Sequence, residues 1–198
     1  MFVLTADQHG SRAGRDAVPD AIALTTAAAG AALALPPERT AGDEFQAVFD
    51  AAPAALDVAL ALTRTREWSV GLGVGQVERP LPREVRAARG DAFVAARDAV
   101  ERAKTAPTRV AVSGPGAADG EALVRLLVEL RDRRSEEGWE VYDLLARGLT
   151  QREAAAELGI TPSAASRRAS AAGLRAEEAA VPALARALGR LDPDAPGE

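Results

Sequence analysis

The fold class this sequence predicts is α+β: a mixed sheet with helices, followed by an all-α domain. Two observations carry it. Through about residue 113, short apolar runs with strand alternation are interleaved with runs of helical spacing; from Gly116 onward the spacing is helical throughout. A length of 198 residues suits two modest domains. The expected division is 1–115 for the α+β domain, 116–134 for a linking or dimerising helix, 135–191 for the helical domain and 192–198 for a frayed tail.

The elements follow in order. Phe2 to Ala6 (FVLTA) is a short apolar run that stops at Asp7, and DQHGSRAGRD after it is loop-like. A helix is expected from about Ala17 to Ala34. LALPPERTA and EFQAVFD then flank Gly42-Asp43, with Phe45, Ala47 and Phe49 alternating, which predicts a hairpin. Pro53 opens a helix whose apolar positions, Leu56, Ala59 and Leu60, return it across the sheet. Next, Val70, Leu72 and Val74 alternate with Gly71, Gly73 and Gly75; a strand with glycine on one face lets something approach its backbone closely. Phe93, Ala96, Val100 and Ala103 have helical spacing, and TRVAVSG is a last strand. The order βα, ββ, αβ, αβ implies helices on one side of the sheet. Leu123, Leu126, Leu127 and Leu130 predict one apolar stripe on the helix that follows.

Composition excludes several classes. Without cysteine there is neither a disulfide framework nor a thiolate metal site. The longest apolar run, Ala27 to Leu35, is broken by Gly30 and stopped by Pro36-Pro37, so a soluble cytoplasmic protein with no membrane partner is expected. One histidine and no nucleophile elbow leave no Ser/His/Asp triad. The net charge is −5, yet between Arg147 and Arg175 five arginines face two glutamates. Any nucleic-acid contact is expected from that window.

That window contains LTQREAAAELGITPSAASRRASAAG. Thr150 and Glu153 have the spacing of a capping box for a helix from Gln151 to Leu158, Gly159 supplies a sharp turn, Ile160 plugs the core, and Thr161-Pro162 starts the next helix. The second helix presents Ser163, Ala164, Ser166, Arg167 and Arg168 outward, as a helix that reads base edges and grips phosphate would. A three-helix bundle serving only protein contacts has the same spacing. In motif and spacing this stretch resembles the helix-turn-helix of bacterial transcription regulators and of sigma-factor region four. That resemblance implies double-stranded DNA as partner, Thr161, Ser163, Ala164, Ser166, Arg167 and Arg168 as contacts, and a homodimer with helices about 34 Å apart.

FVLTADQHGSR, ERTAGDEFQAVF, WSVGLGVGQV and RGDAFVAARDAVERAK, in that order, resemble the catalytic domain of class III nucleotidyl cyclases over about the first 113 residues. The resemblance implies a ferredoxin/cyclase-like sheet and a nucleoside triphosphate ligand. It further implies Asp7 and Asp43 as ligands of Mg²⁺, Gln8, His9 and Gly10 as a phosphate cradle, Arg39 at the purine, and Arg97 as the arginine that stabilises transition-state charge. Lys104 could reach the triphosphate, although a cation there also suits a helix C-terminus. His9 could touch a phosphate or act as an acid, but it reads more simply as an exposed loop histidine. Glu44 alternates away from Asp43, so sharing a metal with it is not expected. Phe93 stands where the family carries asparagine, and Ala87 stands near its second purine-selecting position. Both departures argue against efficient cyclisation.

Taken together, the two halves resemble the SatD family, small bacterial proteins with a cyclase-like front and a helix-turn-helix back. The function this implies is a DNA-binding transcription regulator whose front domain senses a nucleotide; the alternative is a Mg-dependent cyclase with a C-terminal dimerisation module.

Overall fold

The structure, a computed structural model, describes residues 1–10 and 14–194. The loop positions 11–13 and the tail positions 195–198, expected to be loop and frayed end, lie outside the described residues. The chain divides into two compact units, 1–128 with 184–198, and 129–183.

The first unit is built on five strands: β1 (Phe2–Gln8), β2 (Leu33–Ala41), β3 (Glu44–Phe49), β4 (Trp68–Val74) and β5 (Val110–Ser113). Their order is β2-β3-β1-β4-β5, antiparallel except for the parallel pair β4-β5. β2 contains Pro36 and Pro37, which cannot donate to a ladder, and it is accordingly an edge strand with irregular register against β3. Helices α1 (Val18–Ala29), α2 (Ala52–Thr65) and α3 (Asp91–Thr105) fill the connections. The predicted first helix is shorter than expected, because it stops at Gly30 and a 3₁₀ turn leads straight into β2.

Register decides which side each helix takes. Phe2, Leu4 and Ala6 of β1 lie opposite Phe49, Ala47 and Phe45 of β3 and Val74, Leu72 and Val70 of β4. These side chains share one face with α1 and α2, whose Leu56, Leu60 and Leu62 are buried. The other face carries Val3, Thr5 and Asp7 opposite Gly73, Gly71 and Ser69. There α3 lies directly on the strand backbone: a Cβ at Gly71 would stand 2.2 Å from the Val100 nitrogen, and one at Gly73 would stand 2.1 Å from the Ala92 carbonyl oxygen. What the glycine face admits is the chain's own helix, seated through Ala92, Ala96, Ala99, Val100 and Ala103, all fully buried. Helices therefore cover both faces, which corrects the one-sided expectation. The physical reason is that β4-α3-β5 is a crossover between parallel strands, and α3 must fill the face that α1 and α2 leave bare.

Phe93 packs beside a cluster of Val3, Val48, Val77 and Val85 on the α3 side. Helix α4 (Ala118–Asp132) follows. Its Glu121 carboxylate accepts the Val112 amide at 2.9 Å and its Arg125 donates to the Val110 carbonyl at 3.2 Å, which sets the buried face at Val124, Leu127 and Val128. The expected leucine stripe is thus divided, with Leu127 inside and Leu123 and Leu126 exposed.

The second unit is helical: α5 (Glu136–Ala146), α6 (Gln151–Glu157), α7 (Pro162–Ala171) and the first part of α8 (Leu174–Gly189). Ser135 caps α5, and Gly138 lets α5 and α7 approach, a Cβ there standing 2.9 Å from that of Ala172. Around Glu177 of α8 the guanidinium groups of Arg131 and Arg134 close a buried ion triad, and Arg134 also donates to the Ala172 carbonyl at 3.2 Å. Trp139 and Tyr142, at 84° to each other, stack on these guanidinium groups at 4.3 to 5.4 Å. Trp68, by contrast, is a true core residue, edge-on to Phe45 at 5.3 Å.

Candidate functional site

One end of the sheet gathers most of the residues singled out in the first unit. β1 ends at Gln8, β3 begins at Glu44 and β4 begins at Trp68, so Asp7, Glu44 and Ser69 stand side by side in register. Asp43 lies in the β2-β3 turn, and its carbonyl accepts the Gln8 amide at 3.0 Å, which brings the backbone of the two expected metal-ligand segments together.

The carboxylate opposite Asp7 is nevertheless Glu44. Residues directly across an antiparallel pair point to the same face, and here that face is the one α3 covers. Glu44 is buried; it accepts from Thr40 at 2.7 Å and from both terminal nitrogens of Arg97, at 2.6 and 3.3 Å. Two helical turns on, Lys104 places its ammonium 3.1 Å from Asp7 and 2.9 Å from Glu101. Burial alone would lower the Lys104 pKa, but its hydrogen bonds to Glu101 and Asp7 outweigh burial and hold it above the ordinary lysine value. On the α3 face Glu44 is thus paired with Arg97, and Asp7 shares Lys104 with Glu101. Among the described residues no three acidic or imidazole groups are placed to hold a metal ion.

The cradle residues are largely occupied in holding the loop. The buried Gln8 side chain donates to the Arg15 carbonyl at 2.7 Å and accepts the Ala17 amide at 3.0 Å, pinning the ends of the segment before α1. His9 donates its amide to Glu67 at 2.7 Å, and its exposed ring lies 3.3 Å from Arg109, which also reaches Ser69 at 3.4 Å. Gly10 turns with φ of 73°. Arg39 bridges the Gly42 carbonyl and Asp16, and its hydrogen bond holds the Asp16 carboxyl below the usual carboxylate range. Sequence reasoning set Glu44 aside because it alternates away from Asp43, and it missed Arg109. The register of the hairpin against β1 would have found the first; nothing in the local pattern marks the second.

In the second unit the expected capping box is present: Thr150 accepts the Glu153 amide at 3.3 Å, and the Glu153 carboxylate accepts the Thr150 amide at 2.8 Å. The Thr150 amide, and after it the Thr150 hydroxyl at 2.7 Å, donate to the Glu153 carboxylate and keep that carboxyl below its ordinary pKa. Gly159, at φ of 65°, makes the turn that leads to Thr161, whose hydroxyl caps α7 by accepting the Ala164 amide at 3.2 Å. Ile160 is only half-buried, so the plug expected of it falls instead to Ala154, Ala155, Ala165 and Ala169. Thr161, Ser163, Ser166 and Arg167 are exposed, Ala164 is half-buried, and Arg168 leans back to Glu140 of α5 at 3.1 Å. One residue of the expected reading face is therefore tied into the scaffold.

In comparison with known proteins, no family model, no curated protein and no solved structure matches the chain.

Proposed function

We propose that the chain is a DNA-binding transcription regulator whose α6-turn-α7 segment is a helix-turn-helix. The observation that carries this reading is α7: Ala165 and Ala169 anchor one side, while Thr161, Ser163, Ser166 and Arg167 form an open polar row on the other. Those are side chains that hydrogen-bond base edges and phosphates, carried on a helix of the kind that enters a major groove. Selection of bound duplexes from a random pool, followed by anisotropy titration, tests it. Enrichment of a common sequence, lost on Ser163→Ala/Arg167→Ala, is the expected result; no enrichment and no salt-dependent binding would overturn it.

For the first unit, the order β1-α1-β2-β3-α2-β4 with strands arranged β2-β3-β1-β4 is that of a split βαβ domain, which supports the cyclase-like reading and with it the SatD-like combination. Lys104 beside Asp7 and Arg97 beside Glu44 gather two cations at the sheet end, which supports nucleotide sensing as the reading of this unit. Calorimetric titration with ATP and GTP, with and without Mg²⁺, separates sensing from turnover. Binding without Mg²⁺ and without product supports a sensor; cyclic nucleotide formed only with Mg²⁺ would establish the rival enzyme.

A further inference from the structure

Between the end of α4 and the far half of α7 lies an open cleft of about 510 Å³. Arg133, Arg167 and Arg168 line it together with Ser135, Glu137, Ala171 and Ala172. Two of these cations come from α7, but Arg133 belongs to the segment that precedes α5, far from the reading helix in sequence. We infer that this cleft seats one phosphate of the DNA backbone, held jointly by Arg133 and Arg167. The inference rests on the DNA-binding reading above and adds to it a contact outside the reading helix.

The residues divide the work unequally. Arg168 is half-buried and faces Glu140 of α5, and Glu137 hydrogen-bonds the Ser135 cap, so these groups shape the wall. Arg167 is exposed and, among the described residues, forms no ion pair. Among the described residues Arg133 pairs with Glu129, one helical turn away on an exposed surface, and pairs of that kind contribute little and exchange readily. Arg133 and Arg167 are thus the two guanidinium groups able to turn inward, and guanidinium forks match phosphate oxygens in geometry as well as charge. Position agrees with this. At about 1.5 Å per residue, Arg167 stands about 6 Å beyond Ser163 along α7. A helix whose first turn reads bases in a groove about 12 Å wide brings its following turn to the flanking phosphate wall.

The test is a salt series. The full-length chain is titrated by anisotropy against a fluorescein-labelled duplex of mixed sequence, in potassium chloride at several concentrations. Wild type, Arg133→Gln, Arg167→Gln and the double substitution are compared. Each single substitution is expected to lower the slope of log K against log salt by about one, since each neutralised phosphate contributes about 0.9. The double substitution is expected to lower it by no more than either single one, because both grip the same phosphate. Arg133→Lys is expected to restore the slope but only part of the affinity. An unchanged slope for Arg133→Gln, with a reduced one for Arg167→Gln, would overturn the shared seat and leave the DNA reading standing. Additive losses would likewise overturn the sharing. Absence of salt-dependent binding by the wild type would overturn both. Inorganic phosphate competing with the duplex beyond the effect of chloride at equal ionic strength would assign the cleft to the free anion instead.

Discussion

Gly73→Ala is a one-carbon change whose cost can be worked out from the seat of α3. The added methyl would stand 2.1 Å from the Ala92 carbonyl oxygen and 2.3 Å from the Ala96 nitrogen, both backbone atoms that no rotamer change can move aside. Real Cβ atoms keep about 3 Å or more from such atoms, so α3 must retreat by about 1 Å from a close-packed interface. A gap of that size forfeits a quarter to a half of the dispersion energy of the atoms it separates. The cost therefore falls near the upper end for overpacking, about 3 kcal/mol, or a fall of about 6 to 12 °C in melting temperature for a unit of this size. The same strain would lift Arg97 and Lys104 away from Glu44 and Asp7. Gly71→Ala, with 2.2 Å to the Val100 nitrogen, is expected to match it, whereas Gly75→Ala, with 3.0 Å to the Ala92 nitrogen, should cost well under half as much. Trp68 fluorescence in a Trp139→Phe background reports the melting of this unit alone. A Gly73→Ala variant as stable as the parent, or one less affected than Gly75→Ala, would refute the seating of α3 on the glycine face.

Arg97→Ala leaves the Glu44 carboxylate buried with Thr40 as its named donor, and because Arg97 is itself half-exposed the expected loss is modest, about 1 to 2 kcal/mol by urea unfolding. Adding Glu44→Gln should recover most of it. Glu177→Ala strands two buried arginines and is expected to cost about 3 to 5 kcal/mol, read as loss of the Trp139 transition before that of Trp68. Thr150→Ala removes the α6 cap and should cost about 1 kcal/mol, with faster hydrogen exchange at the Glu153 amide. Glu153 and Asp98 have folded pKa values below their ordinary ones, the latter through its hydrogen bonds from Ser113 and Arg102. Their contribution to stability is full above the unfolded carboxylate range near pH 4 and is lost as pH falls through the lowered folded values. Carboxyl chemical shifts followed from neutral to acid pH should show both midpoints displaced downward.

Much of the architecture was legible in the sequence because local signals carried it. The Gly42-Asp43 hairpin, the Thr150–Glu153 capping box and the Gly159 turn are each specified within a few residues, and each is found where expected. The α+β class followed from the alternation of periods. The side of the sheet that α3 takes could not be read that way, because an Ala-rich helix and a Gly-rich strand reveal their match only when paired. The same holds for the sheet end. Asp7 and Asp43 were visible as loop-end carboxylates, but whether Glu44 faces Asp7 depends on register, which is a property of two strands. The leucines of α4 show the converse: their spacing suggested a stripe, while the Val112 amide donating to Glu121 and Arg125 donating to the Val110 carbonyl fix the helix on β5 with Leu123 and Leu126 outward.

Lys104 is the only lysine in the chain, and its ammonium rests between Asp7 and Glu101. Only the deprotonated amine attacks an acylating reagent, and these carboxylates keep that fraction small. Amine acylation therefore has a single lysine target in this chain, and its rate is a reading of how firmly Asp7 holds its partner. An anion that drew the ammonium away from Asp7 would change that rate without any label having been engineered in. The protein thus carries its own chemical reporter at the sheet end.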